Sequence, residues 1–138
     1  MKYIVFIMTM MMSTIFVNGQ DSWKISLNNI TVLVSSKSDE LINIKKIKST
    51  EWKKNGYLEV TYKETTPSNW IHSLQFADEQ GNPLLTKDST LTAKIPLSTL
   101  RKLFAKKKQL KIYMVLNPPN PMMMAPSRMI HLVTLRLP

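Results

Sequence analysis

The chain contains no cysteine. That excludes disulfides, lipoprotein processing (which needs a cysteine directly after the cleavage site), thiolate metal sites and cysteine nucleophiles, so the fold must stand on packing alone. Acid is scarce as well, with 9 Asp and Glu against 19 Lys and Arg, a formal charge of +10. Arginine is almost missing: Arg101, Arg128 and Arg136 are the only three, and the rest of the positive charge is lysine. There are two histidines, His72 and His131, with no HxH or HExxH spacing to bind a metal. Beyond the N-terminal segment no apolar run approaches the length of about 20 residues that a membrane-spanning helix needs.

That N-terminal segment is the exception. Lys2 precedes an uncharged apolar run from Tyr3 to Val17, and Val17-Asn18-Gly19 offers small residues at the −3 and −1 positions of a leader-peptidase site. This is the layout of a secretory signal peptide over 1–19, too short to span a bilayer. The expected mature chain, 20–138, forms one domain with enough residues for a real core and works outside the cytoplasm, periplasmic or secreted. Half of the ten methionines fall in the leader, leaving Met114, Met122, Met123, Met124 and Met129 in the mature protein.

The dominant period of the mature chain is two, the mark of half-buried strands. Trp23, Ile25 and Leu27 alternate with polar residues, and Asn28-Asn29 precedes a second run over 30–34. Residues 35–40 read as a loop, then 41–48 alternates again with Ile42, Ile44 and Ile47 inward. Strands follow over 57–63, 70–77, 83–87 and about 91–95, with Asp78-Glu79-Gln80-Gly81-Asn82 as the clearest hairpin turn. Leu97, Leu100, Leu103 and Phe104 fall at helical spacing instead and predict one short helix near 97–105. Leu110, Ile112, Met114 and Leu116 define the strongest strand, a four-proline loop covers 117–127, and 129–137 closes the chain. Short strands at this spacing predict an all-β, antiparallel two-sheet sandwich, immunoglobulin-like with Greek-key connections; a small closed barrel is the alternative.

The stretch Leu97 to Phe104, Leu110 to Tyr113, the proline-rich loop and Ile130 to Leu135 together resemble the C-terminal half of small exported bacterial proteins of unknown function. The resemblance covers about a third of the chain, carries no catalytic motif, and implies a sandwich without implying an activity.

Several constellations have both a chemical and a plainer role. Met122, Met123 and Met124, with Met129 and His131, would supply thioethers and an imidazole to a soft cation such as Cu(I). Methionine also fills irregular gaps, which suits a loop folded onto a sandwich edge. His72 shares a face with Trp70, Leu74 and Phe76, and His131 is in register with Met129, Val133 and Leu135, where a lone histidine is ordinarily a core or rim residue. The acids at Asp39-Glu40, Asp78-Glu79 and Asp88 sit in turns, which they favour for local reasons. No nucleophile, base and stabiliser can be assembled from these, so catalysis is not expected and no cofactor is implied. Of the aromatics that could stack on sugar rings, Trp52, Tyr57 and Trp70, only Trp52 beside Lys53-Lys54 is expected to be exposed.

The basic residues are the most substantial signal. Lys45, Lys46, Lys48, Lys53 and Lys54 form one cluster; Arg101, Lys102, Lys106, Lys107, Lys108 and Lys111 form another. Such charge attracts an anionic envelope component or protein partner. Lysine is a hydrated point charge and not the bidentate reader that sequence-specific nucleic-acid recognition uses. The plainer role is to guard sheet edges against aggregation. Exposed members such as Lys107 should then contribute only roughly 0–1 kcal/mol to stability. The expectation is an exported, non-catalytic binding or structural module with a basic surface; the alternative is a Cu(I) carrier built on the methionine loop.

Overall fold

A computed structural model describes residues 20–138; residues 1–19, where a signal peptide is expected, lie outside the described residues. Nine strands form two sheets: β1 (Ser22–Leu27), β2 (Ile30–Ser35), β3 (Ile44–Lys46), β4 (Tyr57–Lys63), β5 (Ile71–Ala77), β6 (Pro83–Lys87), β7 (Thr92–Pro96), β8 (Gln109–Asn117) and β9 (Arg128–Arg136). Two short helices intervene, α1 (Ser49–Trp52) and α2 (Leu97–Leu103). The four-stranded sheet runs β2-β1-β4-β7 and the five-stranded sheet β3-β9-β8-β5-β6. All neighbours are antiparallel except β3 and β9. This is a β-sandwich. No helix among the described residues is long and apolar enough to cross a membrane.

Period-two patterning builds the core as expected. Ile25, Leu58 and Val60 from one sheet meet Leu74, Phe76, Leu110, Ile112 and Met114 from the other in a single buried cluster, which α2 closes with Leu97 and Leu100. The indole of Trp23 stacks flat on Tyr62, 5.9 Å between centroids, and its Nε1–H crosses between the sheets to donate to the Leu132 carbonyl at 3.0 Å. That bond satisfies the one polar atom such a ring brings into a core.

The turns follow from residue chemistry. Asn28 and Asn29 both hold positive φ, 52° and 66°, the left-handed backbone that a two-residue hairpin turn requires and that asparagine tolerates. Between β5 and β6 the Asp78 carboxylate accepts from the Gln80 and Asn82 backbone N–H groups at 3.0 and 2.9 Å, and Gly81 takes φ 82°. The expected hairpin is present.

Three expectations fail between residues 39 and 52, and one more near His131. Leu41 and Ile42 are exposed (88% and 72%) while polar Asn43 is buried. The reason is local: Asp39 caps a helical turn, its carbonyl accepting from Asn43 N–H at 2.9 Å and its carboxylate from Leu41 N–H at 2.9 Å, so alternation does not apply there. Loop 36–43 is laced along β9 by His131 N–H to Ser38 Oγ (3.0 Å) and Thr134 N–H to the Asn43 carbonyl (2.8 Å). The chain therefore enters β3 parallel to β9, against the expected antiparallel order. Trp52, expected outside, is buried in the core by the unforeseen helix α1. Near His131 a bulge opposite Ile112/Tyr113 breaks the register. Val133 stays inward opposite Ile112, but His131 pairs with Tyr113 on the outer face of the sheet.

Candidate basic interface

The two lysine runs, far apart in sequence, meet at one end of the sandwich. The Arg101 guanidinium on α2 donates to the carbonyls of Trp52 (2.7 Å) and Lys54 (2.9 Å), clamping the segment after α1 against α2. Nearby, Ile47 N–H donates to the Arg136 carbonyl and Leu137 N–H to the Lys108 carbonyl, both at 2.9 Å. Lys46 is the register partner of Arg136, and Arg136 of Gln109. The C-terminal ends of β3 and β9, the start of β8 and both helices thus share one end. Lys46, Lys48, Lys53, Lys102, Lys106 and Lys108 are all exposed on it. Arg136, which sequence reasoning left out, joins them through strand register alone; only knowledge of the sheet order would have found it.

The members are not equivalent. Arg101 is half-buried and spends its guanidinium on backbone carbonyls, so it holds the interface together more than it faces a partner. Lys107 is the clear departure from the expected exposed lysine. Its ammonium lies 3.0 Å from the Asp78 carboxylate, and the Asp78 side chain is 1% exposed. Burial opposes ionisation of Asp78, yet the backbone N–H groups of Asn82 and Gln80 and the Lys107 ammonium outweigh it and hold the carboxyl below its ordinary range. Lys54 pairs with Glu51 at 2.8 Å, and that bond, with one from the Asn28 amide, holds the Glu51 carboxyl low as well. Lys45 is exposed on β3, and Lys111 is half-buried on the outer face of β8. Two acids at this end are therefore taken up by internal pairs, and the remaining lysines leave a net positive surface.

The methionine loop stands elsewhere. Met122, Met124 and Met129 are exposed, at 84%, 100% and 57%, and Met123 is less so. His131 is buried; its Nε2 lies 2.8 Å from Thr134 Oγ1, its ring meets Tyr113 edge-on, and its Nδ1 has no partner. Desolvation holds its pKa below the ordinary imidazole value, more than the nearby Glu40 carboxylate raises it. Among the described residues no three His, Asp or Glu side chains gather as a metal-binding group.

One pairing was missed. His72 Nε2 contacts the Glu64 carboxylate, with both side chains about a tenth exposed, at the lip of a shallow depression of about 450 Å³ lined by Trp70, Ser89 and Thr90. The second Glu64 oxygen accepts from Ser68 N–H at 3.1 Å. A histidine–carboxylate pair is a component of general acid–base sites, but here both carboxylate oxygens are engaged in closing the loop from β4 to β5. Glu64 directly follows β4 and His72 is the second residue of β5, so their places at the two ends of the loop were the only clue. Of the aromatics, Tyr57 is exposed and carries the Lys94 ammonium 4.5 Å above its ring, while Trp70 is half-buried.

No family model, no curated protein and no solved structure matches this chain.

Proposed function

We propose that the protein is an exported, non-catalytic binding module that docks an anionic envelope component or protein partner through the basic end of its sandwich. The observation that carries this reading is the Arg101 clamp, which joins two lysine runs separated by nearly fifty residues into one surface. Lysines serving only as edge guards have no need of a shared end. A clustered positive surface raises the local concentration of anionic partners and speeds their encounter, and it does so in proportion to the screening length of the medium.

We also propose that the sandwich is immunoglobulin-like. In support, β1, β4 and β7 occupy the positions of strands A, B and E, and β9, β8, β5 and β6 those of G, F, C and C′. The parallel β3 fits a first strand that switches sheets to lie beside the last.

Vesicles containing anionic lipid test the docking surface. Retention should be strong at low salt and lost near 1 M, where the Debye length falls to about 3 Å. Reversing Lys53, Lys102 and Lys106 to Glu should abolish it, while reversing Lys37, Lys63 and Lys87, which lie away from that end, should leave much of it. Equal losses from the two triple variants would mean that net charge, and not this surface, does the binding.

A further inference from the structure

Four strands border the two sheets: β2 and β7 in one, β3 and β6 in the other. Three carry the residues that keep edges from pairing with foreign strands. β7 holds Lys94 and Pro96, β3 holds Lys45 and Lys46, and β6 holds Pro83 and Lys87. β2 holds none. Its sequence, Ile-Thr-Val-Leu-Val-Ser, is uncharged, lacks proline and is rich in β-branched residues. Among the described residues it has a ladder partner on the β1 side only, and Ile30 and Val34 are 60% and 66% exposed. Apart from the bulge opposite Ile25/Ser26, a row of free backbone donors and acceptors is thus left open on the one border strand with neither charge nor proline.

Beside it lies an apolar depression of about 260 Å³, floored by Leu27, Ile30, Val32 and Ile47, with Lys46 and Lys48 on its rim. Glu51 also lines it, but its carboxylate is engaged by Lys54. Apolar floor, lysine rim and open strand edge coincide where β2 meets the basic end.

From this we infer that β2 accepts an extended segment of an acidic partner protein as an additional antiparallel or parallel strand, with the segment's apolar side chains in the depression and its carboxylates on Lys46 and Lys48. Backbone hydrogen bonds supply affinity in such strand addition, and the pocket and rim supply selectivity. Charge decides the occupant: a chain of formal +10 is repelled by a second copy of itself and attracted by an acidic segment. The inference rests on the basic-end reading for its charge preference, and names the class of partner.

The test uses the intact protein and a labelled synthetic peptide of alternating valine and threonine with aspartates at both ends. Binding should weaken at least tenfold when the aspartates are replaced by lysines. It should also weaken at least tenfold when the peptide is N-methylated at every second residue in one phase, and hardly at all in the other, because only one edge pairs. Amide hydrogens of residues 30–35 should gain exchange protection in the complex. Equal tolerance of both N-methylated phases, with no protection of β2, would overturn strand addition while leaving charge-driven docking intact. Loss of vesicle retention in the earlier test, with this peptide still bound, would instead sink the basic-end reading alone. Protection of β2 that rises with protein concentration and no peptide would assign the edge to self-association and overturn the inference.

Discussion

The two ends of the sandwich treat their acids in opposite ways. At the basic end Asp78 and Glu51 are each neutralised by a lysine, Lys107 and Lys54, and the surplus lysines point outward. At the far end the acids hold loops instead. Asp21 accepts the Tyr62 hydroxyl at 2.8 Å and Thr65 N–H at 3.0 Å, and Glu64 takes His72 and Ser68 N–H. One end pairs its carboxylates with lysines, even Asp78 as it holds the β5–β6 turn, while the other uses them to fasten connections without a lysine. With only 9 acids in the chain, that allocation leaves little negative charge free to compensate the lysines.

The largest effect should come from the ground between the ends. Ile112 is fully buried at the middle of β8, opposite Val133. Ile112→Ala should cost about 2–5 kcal/mol in equilibrium urea unfolding, as for a buried aliphatic side chain. Hydrogen exchange should rise at both ends together. Destabilisation confined to one end would mean that the ends unfold separately and that the contrast between them extends to the core.

Next comes the clamp at Asp78. Lys107→Ala leaves a carboxylate that is 1% exposed with only backbone donors to hold it. The denaturation midpoint should fall clearly, and Lys107→Ala combined with Asp78→Asn should recover part of the loss, because the uncompensated charge is then gone. An unchanged midpoint for Lys107→Ala would return Lys107 to the exposed lysines of the docking surface.

Acid should separate the ends by pH. His131, buried against Tyr113 and Thr134 away from the basic end, has a folded pKa below its unfolded value of about 6.5. The unfolded state therefore binds its proton more readily, and stability should fall as pH drops from about 6.5 through the folded pKa. Other groups facing it are the Glu40 and Asp39 carboxylates and Lys111. Asp78 is also lowered, so its contribution is complete above the ordinary carboxylate range and is lost only in stronger acid, as pH falls through its folded pKa. His131→Leu should remove the upper step and Asp78→Asn the lower one. A single step abolished by either variant would show that the two groups titrate as parts of one transition.

Legibility in the sequence divides along the same physical lines. β1, β4 and β8 were readable because one face is buried and alternation is unbroken, β5 because Leu74 and Phe76 keep the period although Ser73 and Ala77 are buried as well, and α2 because four apolar residues keep helical spacing. The stretch 39–52 was not, because Asp39 and Asn43 direct it through hydrogen bonds that hydrophobic patterning does not register. His131 was misplaced for a different reason: one inserted residue in β9 turns every following side chain over, and no bulge signal marks it in the sequence. For the basic surface, the residues were readable and their convergence was not, since it depends on Arg101 reaching two carbonyls some fifty residues upstream. The tight approach behind it was equally hidden: a Cβ at Gly56 would stand 1.6 Å from the Asn28 amide oxygen, so a larger residue there must displace the Asn28 amide that bonds Glu51. Gly56→Ala should accordingly loosen that end alone.

The smallest effect sharpens the comparison most. Lys106 neighbours Lys107 but is exposed and, among the described residues, has no acidic partner within ion-pair distance. Lys106→Ala should leave stability within about 0.5 kcal/mol of the parent, as for a surface change away from any special feature. Its vesicle retention should nonetheless shift to lower salt, while Lys107→Ala shows the reverse pattern, a fall in stability with retention less affected. Two adjacent lysines with exchanged phenotypes would place the boundary between fold and docking surface at a single peptide bond. Equal stability losses in both would mean that the positive end is a structural network throughout, with no lysine left over for a partner.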